Sequence, residues 1–577
     1  MITGISIENF KGIGERVDVE LKPITLLFGA NSAGKSTILH AFHYLREIFE
    51  RNNLDADTTI AGGEFVDLGG YLHFVHGHSL RKPIRIGVTL DASVIDLPSM
   101  AAELPVPGWE LDSEDLLNDF TKVMVELEIG WNESVGAPFV SSYRVEVSGQ
   151  TLLTLRATVG RREQELLLDM AHPCLRALAN VPGLAEMWRG GPLPEDHPFP
   201  ALIALLDYLR KRAAIPSSSI GKVEGRPILS FTIAGGSDAS PCWQSLEPLL
   251  SAIHFVEREE QRSIAREQRA EALDVEFSDT DQESMKSQSL EIDAGNLAVE
   301  TLGRLMIGPA MLVRRLLSQQ LYLGPMRVRP SRNFEPLKSP DPARWASGFG
   351  AWDRIFFMDD MELYKINSWL SDFERLNSGS RLRVRRFVEA DYDEPVIRGL
   401  VDYSPVDIEF GGGAKLNSLA RLPVRRRISI EPTSTELDLA MTDVGVGLSQ
   451  VVPVIVAAFD ESAALVMLEQ PELHLHPRMQ VGLGDLFISG IQSVKRTLLI
   501  ETHSEHLLLR LLRRVRETTQ GELPPHADPI RPDQLSINFV ETRDNGVNIR
   551  RLTVTDSGDF AGWWPEGFFE ERAKELF

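Results

Sequence analysis

The chain has 577 residues, 43% of them hydrophobic and 7% aromatic, which is enough for two or three domains with sizeable cores. A net charge of −23 excludes a uniformly basic nucleic-acid binder and leaves room only for local basic patches. Two cysteines make no disulfide framework, no run of 18 apolar residues suggests a membrane span, and the first residues enter a strand with no room for a signal peptide. The expectation is a cytoplasmic protein in a reducing compartment.

Residues 24–28 read as a short buried strand. They lead into Gly29, Ala30, Asn31, Ser32, Ala33, Gly34, Lys35 and Ser36, the pattern G-x-x-x-x-G-K-S, with Thr37 completing the cradle. Residues 36–49 then read as a helix, with Ile38, Leu39, Phe42, Leu45 and Phe49 near one face. A strand, a glycine-rich turn and a helix N-terminus together aim backbone N–H groups at an anion. In ATP or GTP binding, Lys35 contacts the β- and γ-phosphates and Ser36 gives a hydroxyl to Mg²⁺. Strand-like runs at 123–129 and 143–147 extend the same lobe, so residues 1–160 form one N-terminal unit.

Residues 161–320 carry helical patterns at 200–212 and 297–320 around a very polar stretch, and are expected to form a helical insertion. Residues 321–440 connect the lobes and hold two arginine clusters: Arg381, Arg383, Arg385 and Arg386, then Arg421, Arg425, Arg426 and Arg427. A third cluster is Arg510, Arg513, Arg514 and Arg516. Charge clusters of this kind usually form solvated faces and ion pairs.

Residues 441–520 read as the second half of the nucleotide unit. Gly445, Gly447 and Ser449 precede a helix-like run at 451–459, a second anion-facing helix start. Residues 463–468 read as a central parallel strand, with Glu469 at its carboxyl edge as the ligand of a Mg²⁺-bound water. A further strand at 497–500 is followed by Glu501, Thr502 and His503; the histidine sits where it can bind a γ-phosphate or orient water. Residues 521–577 read as a small tail domain beyond a proline-rich linker, with Trp563, Trp564, Phe568 and Phe569 packing it down. The histidine sets His73, His76, His78 and His474, His476 lack a completing ligand at metal-site spacing.

Taken in order, the motifs resemble those of the ABC-type ATPases of the SMC, RecF and OLD group, especially the bacterial AAA-family ATPases of anti-phage defence operons (Septu-like ATPase subunits). Residues 7–12 look like the opening hairpin, Gly29 to Ser36 like Walker A, and Leu323-Gly324-Pro325-Met326-Arg327 like a recurrent LGP-x-R segment. Residues 445–450 look like the signature, Leu465 to Glu469 like Walker B, 471–477 like the D-loop region, and Thr502-His503 like the switch histidine.

The resemblance implies an α/β fold: an ABC-type ATPase head whose P-loop sheet is assembled from both chain ends, plus a mainly helical insertion. It implies ATP and Mg²⁺ as cofactors, with Ser36 and Glu469 organising the metal and Gln470 and His503 positioning water. It also implies a homodimer or larger oligomer, ATP being sandwiched between Walker A of one subunit and Gly447 and Ser449 of the other. Only 74 residues follow His503, too few for an ordinary nuclease domain, so a nuclease or toxin effector would be a separate chain.

Glu469-Gln470-Pro471 stands where the group has Asp-Glu-Pro, and a glutamine accepts no proton. Either hydrolysis is slow, or Glu472 or His503 substitutes; slow hydrolysis is the expectation. The signature is degenerate, and no glutamine precedes Gln150 to serve as a lobe-bridging residue. Three roles follow: a regulatory ATPase holding an effector in check, a RecF-like DNA-repair ATPase that touches nucleic acid, or an ATP-stabilised scaffold without turnover.

Overall fold

A computed structural model describes residues 1–92, 97–98, 120–157, 163–179, 217–223, 226–234, 302–339, 341–391, 397, 422–435, 437–543 and 546–562. Strands β1 (Ile2–Glu8), β2 (Val17–Glu20), β3 (Ile24–Gly29), β4 (Ile84–Asp91), β5 (Lys122–Asn132), β6 (Ala137–Val147), β7 (Gln150–Ala157), β8 (Glu163–Asp169), β9 (Ser217–Val223) and β10 (Arg226–Ala234) come from the first half. All but β3 form a nine-stranded sheet in the order β2-β1-β4-β5-β6-β7-β8-β10-β9. Its pairs are antiparallel, and β6 alternates buried and half-exposed residues, as a sheet with one packed face does.

The second sheet draws on both chain ends. β11 (Gln320–Leu323) comes first; β12 (Ser380–Val388) and β13 (Val424–Pro432) form a separate two-stranded ribbon; β14 (Leu465–Glu469), β15 (Thr497–Glu501), β16 (Leu535–Arg543) and β17 (Gly546–Leu552) follow. The order is β11-β14-β15-β3-β16-β17, parallel except for β17. β3, β14 and β15 are buried throughout, which is why their sequences are unbroken apolar runs rather than alternating ones.

Helices α1 (Lys35–Arg51), α2 (Gly308–Ser318), α3 (Phe349–Phe357), α4 (Asp360–Ser371), α5 (Val446–Phe459), α6 (Pro477–Ser493) and α7 (Glu505–Gln520) cover the parallel sheet. Side chains alternate across it. Leu27, Met467, Leu499 and Val540 enter a core shared with α1, α2 and the nine-stranded sheet. Leu26, Phe28, Val466, Leu468 and Ile500 enter a second core with α3 to α7. Each such fully buried side chain contributes about 1.5–3 kcal/mol. Among the described residues no helix is long and apolar enough to cross a membrane.

Three expectations change. Within 161–320 the described residues hold β8, β9 and β10, which extend the sheet, beside a short helix at Pro173–Ala179 and α2; 200–212 and 257–288 lie outside the described residues. The strands expected in a separate tail domain instead complete the phosphate-loop sheet, β16 lying parallel beside β3; 563–577, with the paired Trp and Phe residues, lie outside the description. Finally, α5 starts at Val446 rather than 451, so Pro453 sits inside the helix, where it cannot donate to the Ser449 carbonyl.

Candidate nucleotide site

The site is built where three parallel strands end together. β3 closes at Gly29 with φ +150°, and Gly34 caps α1 at φ +96° with no side-chain hydrogen bond to the first amides of the helix. Those amides are left for an anion. A Cβ on Gly29 would stand 2.2 Å from the Val540 carbonyl oxygen, and one on Gly34 2.5 Å from Val547 Cγ2. The loop is therefore pressed from one side by β16 and β17, and glycine is required at both positions by contact as well as by φ.

Ala30, Asn31 and Ser32 are exposed, Ala33 and Thr37 are buried, and the Thr37 amide donates to the Gly34 carbonyl at 3.1 Å. Lys35 is buried and folded back on its own loop, donating to the carbonyls of Ala30 at 2.9 Å and Gly29 at 3.2 Å. Its Nζ is 3.7 Å from Glu501 Oε1. Burial lowers the Lys35 pKa, with Glu501 pulling the other way.

Register places Glu469 of β14 beside Glu501 of β15, and Glu501 beside Leu27 of β3. The Ser36 hydroxyl donates to Glu501 Oε2 at 2.8 Å, so the serine expected to work with Glu469 is held by Glu501 instead. Glu469 Oε1 accepts from the Tyr322 hydroxyl at 2.9 Å. Glu501 is the site residue that the sequence reading passed over as a ligand; its signal was a carboxylate ending a second apolar strand. Burial, and after it the Glu501 carboxylate, push the Glu469 carboxyl up to about 7. A serine hydroxyl and two buried carboxylates are hard oxygen donors, and their mutual strain is what a divalent cation relieves. The residues present fit Mg²⁺.

Past β14 the backbone is fixed from several sides. Gln470 is left-handed at φ +43°, and its N–H donates to the Glu501 carbonyl at 2.8 Å. The buried Arg327 guanidinium donates to the carbonyls of Glu469 at 2.5 Å and Gln470 at 3.0 Å. The Arg327 backbone exchanges two hydrogen bonds with the Gln450 side chain on α5, at 2.6 and 3.2 Å. One residue of the LGP-x-R segment thus joins the end of β14 to the helix of the signature. The His503 N–H donates to Glu472 Oε1 at 2.7 Å, while Glu472 Oε2 and His503 Nε2 are buried without protein partners. Burial raises the Glu472 carboxyl; burial and then Lys35 lower His503, keeping it neutral at neutral pH.

The signature differs from expectation. Ser449 is buried and its hydroxyl donates to the Val446 carbonyl at 2.7 Å, because α5 begins early enough to place 449 within its first turn and facing the core. A Cβ on Gly447 would lie 3.2 Å from the His474 carbonyl oxygen. The exposed groups at this helix start are Gly445 and Val446.

A family described as "AAA ATPase domain" matches residues 1–133 and 396–508, the two segments that carry the phosphate loop and β14–β15. No curated protein matches the chain. Among solved structures, the SMC head domain from Thermotoga maritima is 9% identical, over 95% of this chain and 98% of that one, with a TM-score of 0.32. The Smc head domain with an extended coiled coil from Pyrococcus furiosus, bound to the C-terminal domain of ScpA, is 11% identical over 100% and 98%, also at 0.32. With scores this low, the fold rests on the strand order above: an α/β fold whose P-loop sheet is assembled from both chain ends, across the two segments that the ATPase-domain model matches.

Proposed function

We propose that this AAA-type ATPase binds ATP with Mg²⁺, hydrolyses it slowly, and serves as a regulatory or scaffold subunit of a multi-protein complex of the kind used in anti-phage defence. The observation that carries the reading is the convergence of Lys35, Ser36, Glu469 and Glu501 at the carboxyl ends of β3, β14 and β15. Mg²⁺, held by Ser36, Glu501 and Glu469, would neutralise charge on the β- and γ-phosphates. Lys35 would leave its loop carbonyls to pair with the same phosphates. The Gln470 side chain orients water but takes no proton; the unpaired Glu472 oxygen beside His503 supports Glu472 as the group that does. The exposed start of α5 supports an ATP sandwich between two subunits, with backbone amides rather than Ser449 meeting the nucleotide, and a nuclease or toxin is the effector proposed as partner.

A RecF-like role has one observation in its favour. Arg381, Arg383, Arg385, Arg425 and Arg427 share one face of the β12–β13 ribbon, Arg385 directly opposite Arg427. Glu389 and Asp438 pair with two of them, which tempers the patch. Salt-sensitive DNA binding that raises turnover would favour this role.

The test is ATP turnover of the wild type beside Lys35→Ala and Gln470→Glu. Slow turnover that vanishes in the first and rises in the second supports the proposal. ATP binding with no turnover in either wild type or Gln470→Glu points to the scaffold.

A further inference from the structure

Helices α6 and α7 run on from the strands that carry Glu469 and Glu501, and share a cavity of about 350 Å³ with the loop after α4 and the segment before β16. Five arginines line it: Arg375, Arg478, Arg510, Arg513 and Arg514.

Each is fixed in place. Arg375 lies over the Trp369 ring at 4.4 Å and donates to Ser368 Oγ at 2.5 Å. Arg478 lies over the Phe373 ring at 4.5 Å and donates to the Phe373 carbonyl at 2.9 Å. The buried Arg514 forks onto Asp485 at 2.6 and 3.0 Å and reaches Glu517 at 2.6 Å. Arg510 meets Asp485 at 3.0 Å and Arg513 meets Glu517 at 2.6 Å. Three guanidiniums, those of Arg510, Arg513 and Arg514, therefore share two carboxylates, while Arg375 and Arg478 are held by a hydroxyl, a carbonyl and aromatic rings. The remaining acid of the wall, Glu374, is bound by His526 at 2.6 Å. Burial lowers the Arg510 pKa against the pull of Asp485, and the Arg514 and Arg513 charges lower it further.

In a chain of net charge −23, such a concentration is not a general property of the surface. A guanidinium has five N–H donors, and Arg375, Arg510 and Arg513 each commit a single nitrogen to the bonds above. Several pre-positioned forks with donors to spare match the oxygens of a phosphate better than a single carboxylate. The volume suits a small phosphorylated molecule.

We propose that this cavity binds a phosphate-bearing small molecule, at a site separate from the phosphate loop. It does not depend on the ATPase reading. The probe is sodium tripolyphosphate without Mg²⁺, titrated calorimetrically into full-length Lys35→Ala, which disables the phosphate loop. One equivalent should bind, and adding Arg478→Gln with Arg513→Gln should weaken it by about tenfold or more. Glu374→Gln removes a repelling carboxylate and should tighten binding by about threefold, a gain that misfolding cannot produce. No binding to Lys35→Ala, equal affinity without the two arginines, or weaker binding in Glu374→Gln would each overturn the proposal. So would a triglutamate peptide that binds as tightly as the tripolyphosphate.

Discussion

Replacing Arg327 by methionine separates what this residue does for stability from what it does for the site. The guanidinium makes two charge-assisted hydrogen bonds, to the Glu469 and Gln470 carbonyls, and at about 1.5–3 kcal/mol each their loss costs about 3–6 kcal/mol. Against that, burial drops its pKa from 12.5 to about 10, a standing cost of about 3 kcal/mol at 1.36 kcal/mol per unit that methionine removes. The sign is clear: a base whose folded pKa is lowered destabilises the fold wherever it is charged, which includes neutral pH. Its Nε is also buried without a partner. The two sides nearly cancel, leaving a loss of about 0–3 kcal/mol, or a few degrees in melting temperature. Turnover should behave differently, because the Gln470 peptide loses its clamp; a fall of about tenfold or more is expected, since small misplacements at a reacting centre carry such factors. Scanning fluorimetry and steady-state phosphate release on one preparation read both. Arg327→Lys, a point charge that cannot bridge two carbonyls, should not rescue turnover. A melting point that collapses in Arg327→Met with turnover per folded molecule unchanged would refute the reasoning.

Gly29→Ala drives a Cβ against the Val540 backbone, whereas Gly34→Ala meets only the Val547 side chain. Both should lose ATP-induced stabilisation in a thermal shift, but only Gly34→Ala should recover part of it with Val547→Ala; equal rescue would mean that the contact with β16 is not the constraint. Ser36→Ala removes the hydroxyl bound to Glu501, and should abolish the Mg²⁺-dependent part of ATP affinity in calorimetric titration, as EDTA should for the wild type. An unchanged Mg²⁺ response would remove Ser36 from the metal site. Tyr322→Phe deletes only the donor to buried Glu469 and should lower stability by about 1–3 kcal/mol, seen as a lower melting temperature. No shift would mean that the carboxylate finds another partner.

What the sequence makes legible is local. The phosphate loop, the strand before it and the helix after it announce themselves through a contiguous pattern, and the apolar runs at 465–468 and 497–500 read as central strands for the same reason. Glu501 was harder because its role depends on which strands are neighbours. Only once β15 lies between β14 and β3 does a carboxylate at its end come within 2.8 Å of Ser36, and no period or spacing encodes that order. Ser449 shows the opposite case, a residue whose motif invites an outward role and whose side chain is turned inward by a helix that starts five residues earlier than its apolar run. Arg327 was visible as part of a segment, but its two carbonyl contacts depend on tertiary placement alone.

The strand order has a consequence for how the two chain ends depend on each other. β3 has β15 on one side and β16 on the other, both contributed by residues beyond 496, and it shares no ladder with the sheet built by the first half of the chain. A fully buried strand flanked by no partner would expose two rows of unpaired backbone groups, each expensive to bury unsatisfied. The nine-stranded sheet can close its own ladders from residues 2–234; the phosphate loop cannot be positioned until 497–543 arrive. The cradle and Glu501 therefore take their places only where β15 and β16 flank β3, Glu469 following on β14 beside β15, and nucleotide binding should appear only with the assembled sheet. The contacts of Gly29 with Val540 and of Gly34 with Val547 are the same dependence at atomic scale: the loop that receives the phosphates takes its shape from strands more than 500 residues away.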